Sequence, residues 1–173
     1  MAADSRATDI VSTFPHDAIL ATHAPGTKPT YDSLHLAITQ LNANAASIPT
    51  DGGDGLLGHL VLTVGDTTYA ALSTGNVAHP APPAPAAAPD LPPTATSALI
   101  SELRQQFTDS KSTFRTYYSV DAALKKQLLA ATDERFLISL KDRTHGFALV
   151  RTRALISHIY TTYGNITSED LDR

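Results

Sequence analysis

Apolar residues recur at steps of three and four along most of this chain, which is the period of a helix with one buried face. The first clear stretch runs from Leu34 through Ile38 and Leu41 to about Ile48, and Thr30 before it is a suitable N-cap. The spacing therefore predicts a first helix between residues 30 and 48.

The last stretch, residues 151–163, is the most regular. Its apolar stripe consists of Leu155, Ile156, Ile159, Tyr160 and Tyr163. Gly164 follows the stripe, where a left-handed glycine commonly closes a helix. Thr167 and Asp170 resemble a capping box that opens a further helix, and the sequence stops soon afterwards, so we expect a piece of a longer protein.

Two shorter elements are predicted between residues 51 and 76. Residues 51–55 form a glycine-rich turn in which Asp54 caps the following segment. That segment, residues 56–64, contains enough leucine and valine to predict a buried helix that Gly65 interrupts. Asp66 then predicts the cap of another short helix, which ends near Gly75.

Residues 97–140 predict three more helices. The first carries a stripe from Leu99 to Phe114, and the sequence Tyr117-Tyr118-Ser119-Val120 marks its end. Ser119 or Asp121 starts the second helix, and Thr132 starts the third. With short connections and no alternating strand pattern, the prediction is an all-α bundle of five to six helices.

The segments without helical periodicity divide the chain. Residues 1–29 contain three prolines and predict an extended, mobile arm, followed by an N-terminal helical segment at 30–76. Seven of the eleven prolines lie between Pro80 and Pro93, so residues 77–96 predict a linker or a loop across the surface, before the helical segment 97–173. A ligand for an SH3-type groove is the alternative, but no basic residue flanks these prolines.

Composition narrows the environment and the partners. Cysteine is absent, which excludes thiol catalysis, zinc–thiolate sites and disulfides. No basic start with an apolar core and no long apolar run occurs, so we expect a cytoplasmic protein without membrane contact. Residues 1–94 carry two basic and eight acidic residues, whereas residues 95–173 carry eleven basic and nine acidic ones. Any nucleic-acid contact is therefore expected in the second half.

The sequence predicts no catalytic, cofactor-binding or metal-ligating residue and no small-molecule substrate, so we expect a protein that is not an enzyme. The histidines have no metalloprotease spacing, and His59 and His158 lie inside apolar patterns that favour packing roles. One basic cluster brackets the turn before the last helix and is a weak candidate for a nucleic-acid patch. It consists of Lys141, Arg143, Arg151 and Arg153. The alternative for these four residues is scattered, solvated charge.

The order of several segments resembles the Gag-like polyproteins of copia-type LTR retrotransposons. The segments are PTYDSLHLAITQLNANAASI, GGDGLLGHLVL, the proline-rich region, and FALVRTRALISHIYTTYGNITSEDL. The resemblance covers nearly the whole chain after about residue 14, and it rests on order and spacing because no single motif is diagnostic.

The resemblance implies a capsid-like helical module from the N-terminal region of Gag, which forms homo-oligomers in a particle shell around the RNA of the element. The chain differs from a full Gag in two ways, since we expect it to lack the cysteine–histidine zinc knuckle and a second helical lobe. Its association with RNA is therefore expected to be indirect. The alternative function is a monomeric adaptor or RNA-binding module derived from Gag.

Overall fold

The computed structural model describes residues 9–78 and 80–165. Its α-helices are α1 (Tyr31–Ser47), α2 (Asp66–Leu72), α3 (Ser97–Ala131) and α4 (Thr152–Tyr163). Short 3₁₀ turns lie at Leu60–Leu62, Glu134–Phe136 and Ile138–Leu140. The described ranges contain no strand, only an isolated bridge between Asp142 and Gly146, so the predicted all-α class is confirmed.

Helix α1 matches the sequence prediction. The hydroxyl of Thr30 accepts a hydrogen bond from the backbone N–H of Ser33, and the Ser33 hydroxyl accepts one from the Thr30 N–H. This reciprocal pair satisfies two donors that the first helical turn cannot satisfy internally. Leu34, Ile38 and Leu41 are all buried, as their spacing predicted.

The helix predicted for residues 56–64 is wrong. Only Leu60–Leu62 forms a 3₁₀ turn, because Gly58 has φ of +51° and lies against the end of α1. A Cβ at Gly58 would lie 2.3 Å from the carbonyl oxygen of Ala46. The N–H of His59 donates to the Ala45 carbonyl at 2.9 Å, so this segment caps the C-terminus of α1 instead of continuing as a helix.

The glycine-rich turn and α2 follow the prediction more closely. Asp54 accepts hydrogen bonds from the backbone N–H groups of Leu56, Leu57 and Thr74, which lower the pKa of its carboxyl. The predicted cap at Asp66 is wrong, because Gly65 occupies the N-cap position of α2 and Asp66 is the first helical residue. A carboxylate there is favourable because the helix N-terminus carries a partial positive charge.

The three helices predicted between residues 97 and 140 are replaced by one long helix and two 3₁₀ turns. Helix α3 runs without interruption for 35 residues, through the proposed break at Tyr117 to Asp121. Thr132 is the C-cap of α3 and not the N-cap of a third helix. The predicted third helix is reduced to the turns at Glu134–Phe136 and Ile138–Leu140.

Helix α4 confirms the predicted last helix, but Gly164 closes it differently. Gly164 has φ of −84°, so the predicted left-handed conformation is wrong. Glycine is needed there for space instead, since a Cβ would lie 2.7 Å from the Tyr160 carbonyl oxygen and 2.6 Å from its ring. The predicted capping box at Thr167 and Asp170 lies outside the described residues.

The core lies where α1, the second half of α3 and α4 meet, with the Leu60–Leu62 turn beside them. Part of the predicted mobile arm belongs to this core, because Phe14, Ile19 and Thr22 are buried. Two buried amides hold that segment in place. Asn44 exchanges two hydrogen bonds with the backbone of His16, and Gln127 donates to the carbonyls of His16 and Asp17. Residues 14–22 are therefore a packed strap, and the free arm predicted for this part is wrong.

Candidate interaction surfaces

The four cations predicted as one patch occupy two separate settings. Lys141 forms an ion pair with Glu134, and Arg143 is exposed in the tight turn that Asp142 and Gly146 close. Asp142 accepts hydrogen bonds from the backbone N–H groups of residues 144 and 145, which lower the pKa of its carboxyl. This turn therefore contains a carboxylate, that of Asp142, next to the Arg143 cation.

Arg151 and Arg153 lie at the start of α4. The Arg151 guanidinium lies 4.6 Å from the Tyr118 ring centroid and donates to the Tyr118 hydroxyl at 3.0 Å. Arg153 donates to the carboxylate of Asp66 at 3.0 Å. Both cations thus have partners, an aromatic ring in one case and a carboxylate in the other.

These two arginines share the wall of a cleft of about 560 Å³. The Leu60–Leu62 turn, Pro80, Tyr117 and Ser157 form other parts of its wall. Two carboxylates, those of Asp66 and Asp121, also line the cleft. The mixed charge makes the cleft a weaker anion site than its arginines alone would suggest.

Asp121 and Lys125 organise the chain before α4, a role that was not predicted for either residue. The buried Asp121 carboxylate accepts the N–H of Thr152 at 3.2 Å, and the Asp121 carbonyl accepts the Thr152 hydroxyl at 2.9 Å. The Lys125 ammonium donates to the carbonyls of Phe147, Ala148 and Val150. Burial lowers the pKa of Lys125, but its three donors are all satisfied. Only long-range folding brings these groups together, so no local sequence signal marks them.

The histidines singled out by the sequence make packing contacts. His59 is buried, and its Nδ1–H donates to the Ile48 carbonyl at 2.9 Å. Burial lowers its pKa from the ordinary value of 6.5, since water is excluded from the charged form. His158 Nε2 lies 3.2 Å from both the Ser139 hydroxyl and the Phe136 carbonyl.

The first half of α3 and the proline-rich segment together form an arm. No side chain of α3 is buried before Val120. Residues 77, 80, 83, 86 and 89 are half-buried, whereas the described residues between them are exposed. A period of three is that of polyproline II, which places every third residue on one side.

The two segments of this arm, the proline-rich segment and the first half of α3, run in opposite directions. Pro80 and Pro83 line a small cavity with Thr113 and Tyr117, and residues 83–89 line a groove of about 670 Å³ with residues 103–113 of α3. Polyproline II rises about 3.1 Å per residue, so residues 80–89 span about 28 Å. Residues 97–117 of an α-helix span about 30 Å, so the proline-rich segment is the right length to follow the projecting half of α3.

The described residues contain no group of three or more histidine, aspartate or glutamate side chains placed to hold a metal ion. None of the helices in these ranges combines the length and the apolar composition that crossing a bilayer requires. Comparison with protein-family models, with curated proteins and with solved structures gave no match to this chain.

Proposed function

We propose that this chain is a structural subunit that self-assembles. This is the behaviour expected of the capsid-like module that its resemblance to copia-type Gag implies. The observation that carries the proposal is the arm. Twenty-three residues of α3, Ser97 to Ser119, include no buried side chain, although the helix continues into the core. A helix of this length is stable when its faces pack against something, and a second copy of the chain is the partner we propose.

The proposed shell-forming role fits the rest of the surface. Helices α1 and α4 and the strap cover the core of the domain, whereas the arm is exposed. Every copy of the chain therefore offers the same exposed surface to its neighbours. Assembly depends on such repeated contacts and not on a reactive group. The retrotransposon origin rests on the sequence resemblance alone.

The test is the mass of the purified, nuclease-treated chain across concentration and salt, by light scattering with electron microscopy. We expect the mass to rise above the 18.3 kDa monomer as concentration increases. A strict monomer at the highest concentration would contradict the proposal.

A matched variant tests whether the arm makes the contact. Pro83 and Thr113 line the same cavity, so a short Gly-Ser linker can replace residues 84–110 without stretching the chain. We expect this variant to keep a cooperative thermal transition and to remain monomeric. Assembly of the folded variant would move the contact to another surface.

The second candidate is an RNA-binding module that uses the cleft lined by Arg151 and Arg153. Binding through phosphate contacts weakens steeply as salt rises, because counterions are released from the nucleic acid. Affinity for single-stranded RNA with a salt slope near zero would contradict this candidate. Arg153→Gln should lower both the affinity for RNA and its salt slope. Lys126→Gln, in the second half of α3, should leave both unchanged.

A further inference from the structure

The projecting half of α3 has a face covered by the proline-rich segment and a face directed away from it. Leu103, Phe107 and Thr113 line the groove with residues 83–89. The opposite face carries only small or polar side chains, all of them exposed. They are Ser101, Gln105, Thr108 and Ser112.

Two rows of charge flank this outer face. At 3.6 residues per turn, Arg104, Lys111 and Arg115 lie within about 40° of one another around the helix. Glu102 and Asp109 lie within about 20° of each other, and about 150° from the centre of the basic row. All five side chains are exposed, and Asp109 also lines the edge of the groove between α3 and the proline-rich segment.

Neither row is neutralised by an ion pair among the described residues. Gln106 donates to Glu102 at 3.2 Å and Gln105 donates to Asp109 at 2.8 Å, which satisfies one oxygen of each carboxylate without cancelling its charge. Within residues 9–78 and 80–165, no carboxylate lies at ion-pair distance from the three cations of the basic row.

The two rows also match in spacing. Glu102 and Asp109 are seven residues apart, and so are Arg104 and Lys111. Seven residues are close to two helical turns, so both rows keep their phase along paired helices. The small side chains of the outer face allow a second helix to approach closely enough for the flanking charges to meet.

We infer that the outer faces of two arms pair side by side in parallel, with the basic row of each copy against the acidic row of the other. This inference deepens the self-assembly proposed above and rests on it. A two-fold axis parallel to the helices places opposite charges together at both edges. An antiparallel two-fold pair would place like rows together, so the charges select the parallel arrangement.

The contact is weak for a single pair of copies. Exposed ion pairs contribute little in water, and the outer face offers no large apolar side chain. Many such contacts in one assembly reinforce one another, because each bound neighbour raises the effective concentration of the next. Pairing of the arms is therefore sensitive to salt and strongly dependent on protein concentration.

Sedimentation equilibrium of nuclease-treated protein tests the pairing with two reversed variants. One carries Arg104→Glu and Lys111→Glu, and the other carries Glu102→Lys and Asp109→Lys. We expect each variant alone to associate at least about tenfold more weakly than the native chain, and an equal mixture of the two to recover association. The control for the first variant, Lys126→Glu with Arg143→Glu, makes the same charge change as that variant at exposed residues off the arm and should associate like the native chain.

The outcomes separate this inference from the proposed function. A native chain that never associates contradicts both. Native association that both reversed variants retain, or a mixture that does not recover, overturns the pairing while leaving self-assembly in place. Association that disappears with nuclease and returns with single-stranded RNA assigns the basic row to phosphates, which also overturns it.

Discussion

Residues 97–119 and residues 120–131 belong to one helix, yet only the second group lies in the core. Val120, Ala123, Leu124 and Leu128 are fully buried. The corresponding positions of the first half, from Ile100 to Phe114, are at most half-buried, and Leu103 and Phe107 among them line the groove beside the proline-rich segment. Helical periodicity is present in both halves, so the pattern alone does not tell which half is in the core.

The difference follows from the lengths of the partner helices. Helix α3 is about 52 Å long, whereas α1 and α4 span about 26 and 18 Å at 1.5 Å per residue. These shorter helices cover only the second part of α3, residues 120–131. Residues 97–119 are left to the proline-rich segment, which contributes proline and alanine side chains with little apolar area.

The largest effect expected from this comparison is on folding stability. Leu124→Ala should lower the free energy of unfolding by about 2 to 5 kcal/mol, since it empties a fully buried site. Leu103→Ala, in the half-buried stripe of the arm, should lower it by less than about 1 kcal/mol. Urea unfolding of both variants measures the difference, and similar losses would show that the arm folds as part of the core.

The sequence predicted the fold class and the two helices with the simplest surroundings. Helices α1 and α4 lie against the core along one face, so their apolar spacing identified them. The break predicted near Asp121 was wrong for an instructive reason. Asp121 does cap a helix, but that helix is α4, whose first N–H group it reaches across the core. Residue type alone does not distinguish a local cap from a distant one.

The candidate surfaces were harder to predict than the fold. The predicted patch consists of cations that are close in sequence, but Lys141 and Arg153 are separated in the structure, where each is paired with its own carboxylate. The charged rows of the arm are visible in the sequence as a seven-residue spacing. They gain meaning only once α3 is known to be continuous and to extend past the core, because a helix face can meet a partner only where its own fold leaves it uncovered.

A second, smaller effect concerns pH at the point where the arm joins the core. His59 lines a cavity there with Pro80, Pro83 and Tyr117, and burial lowers its pKa below the usual 6.5. The imidazole of His59 therefore binds a proton more readily in the unfolded chain than in the folded one. Because of this, stability should fall as pH drops below about 6.5. At higher pH the residue is neutral in both states and contributes no pH dependence.

Thermal unfolding between pH 7.5 and 5.5 checks this prediction against His59→Asn, whose amide can still donate toward the Ile48 carbonyl. The other six histidines are the same in both proteins, so the difference isolates His59. We expect the native chain to lose more stability than the variant over this range. Parallel curves would show that the cavity admits enough water to charge the imidazole.

The smallest effect is expected within the arm itself. Pro83 and Pro89 face α3 and restrict the segment to the extended form that follows it. Replacing both with glycine should raise the conformational entropy of the segment and loosen its contact with the helix. Hydrogen exchange at residues 100–114 should become several-fold faster, whereas exchange at residues 120–131 and the thermal midpoint should stay unchanged. Glycine at Pro92 and Pro93, which are exposed and lie outside the groove-lining residues 83–89, is the matched control and should have a weaker effect. Equal acceleration in both halves of α3 would mean that the helix opens as one unit, and the distinction between arm and core would then be one of burial without a difference in stability.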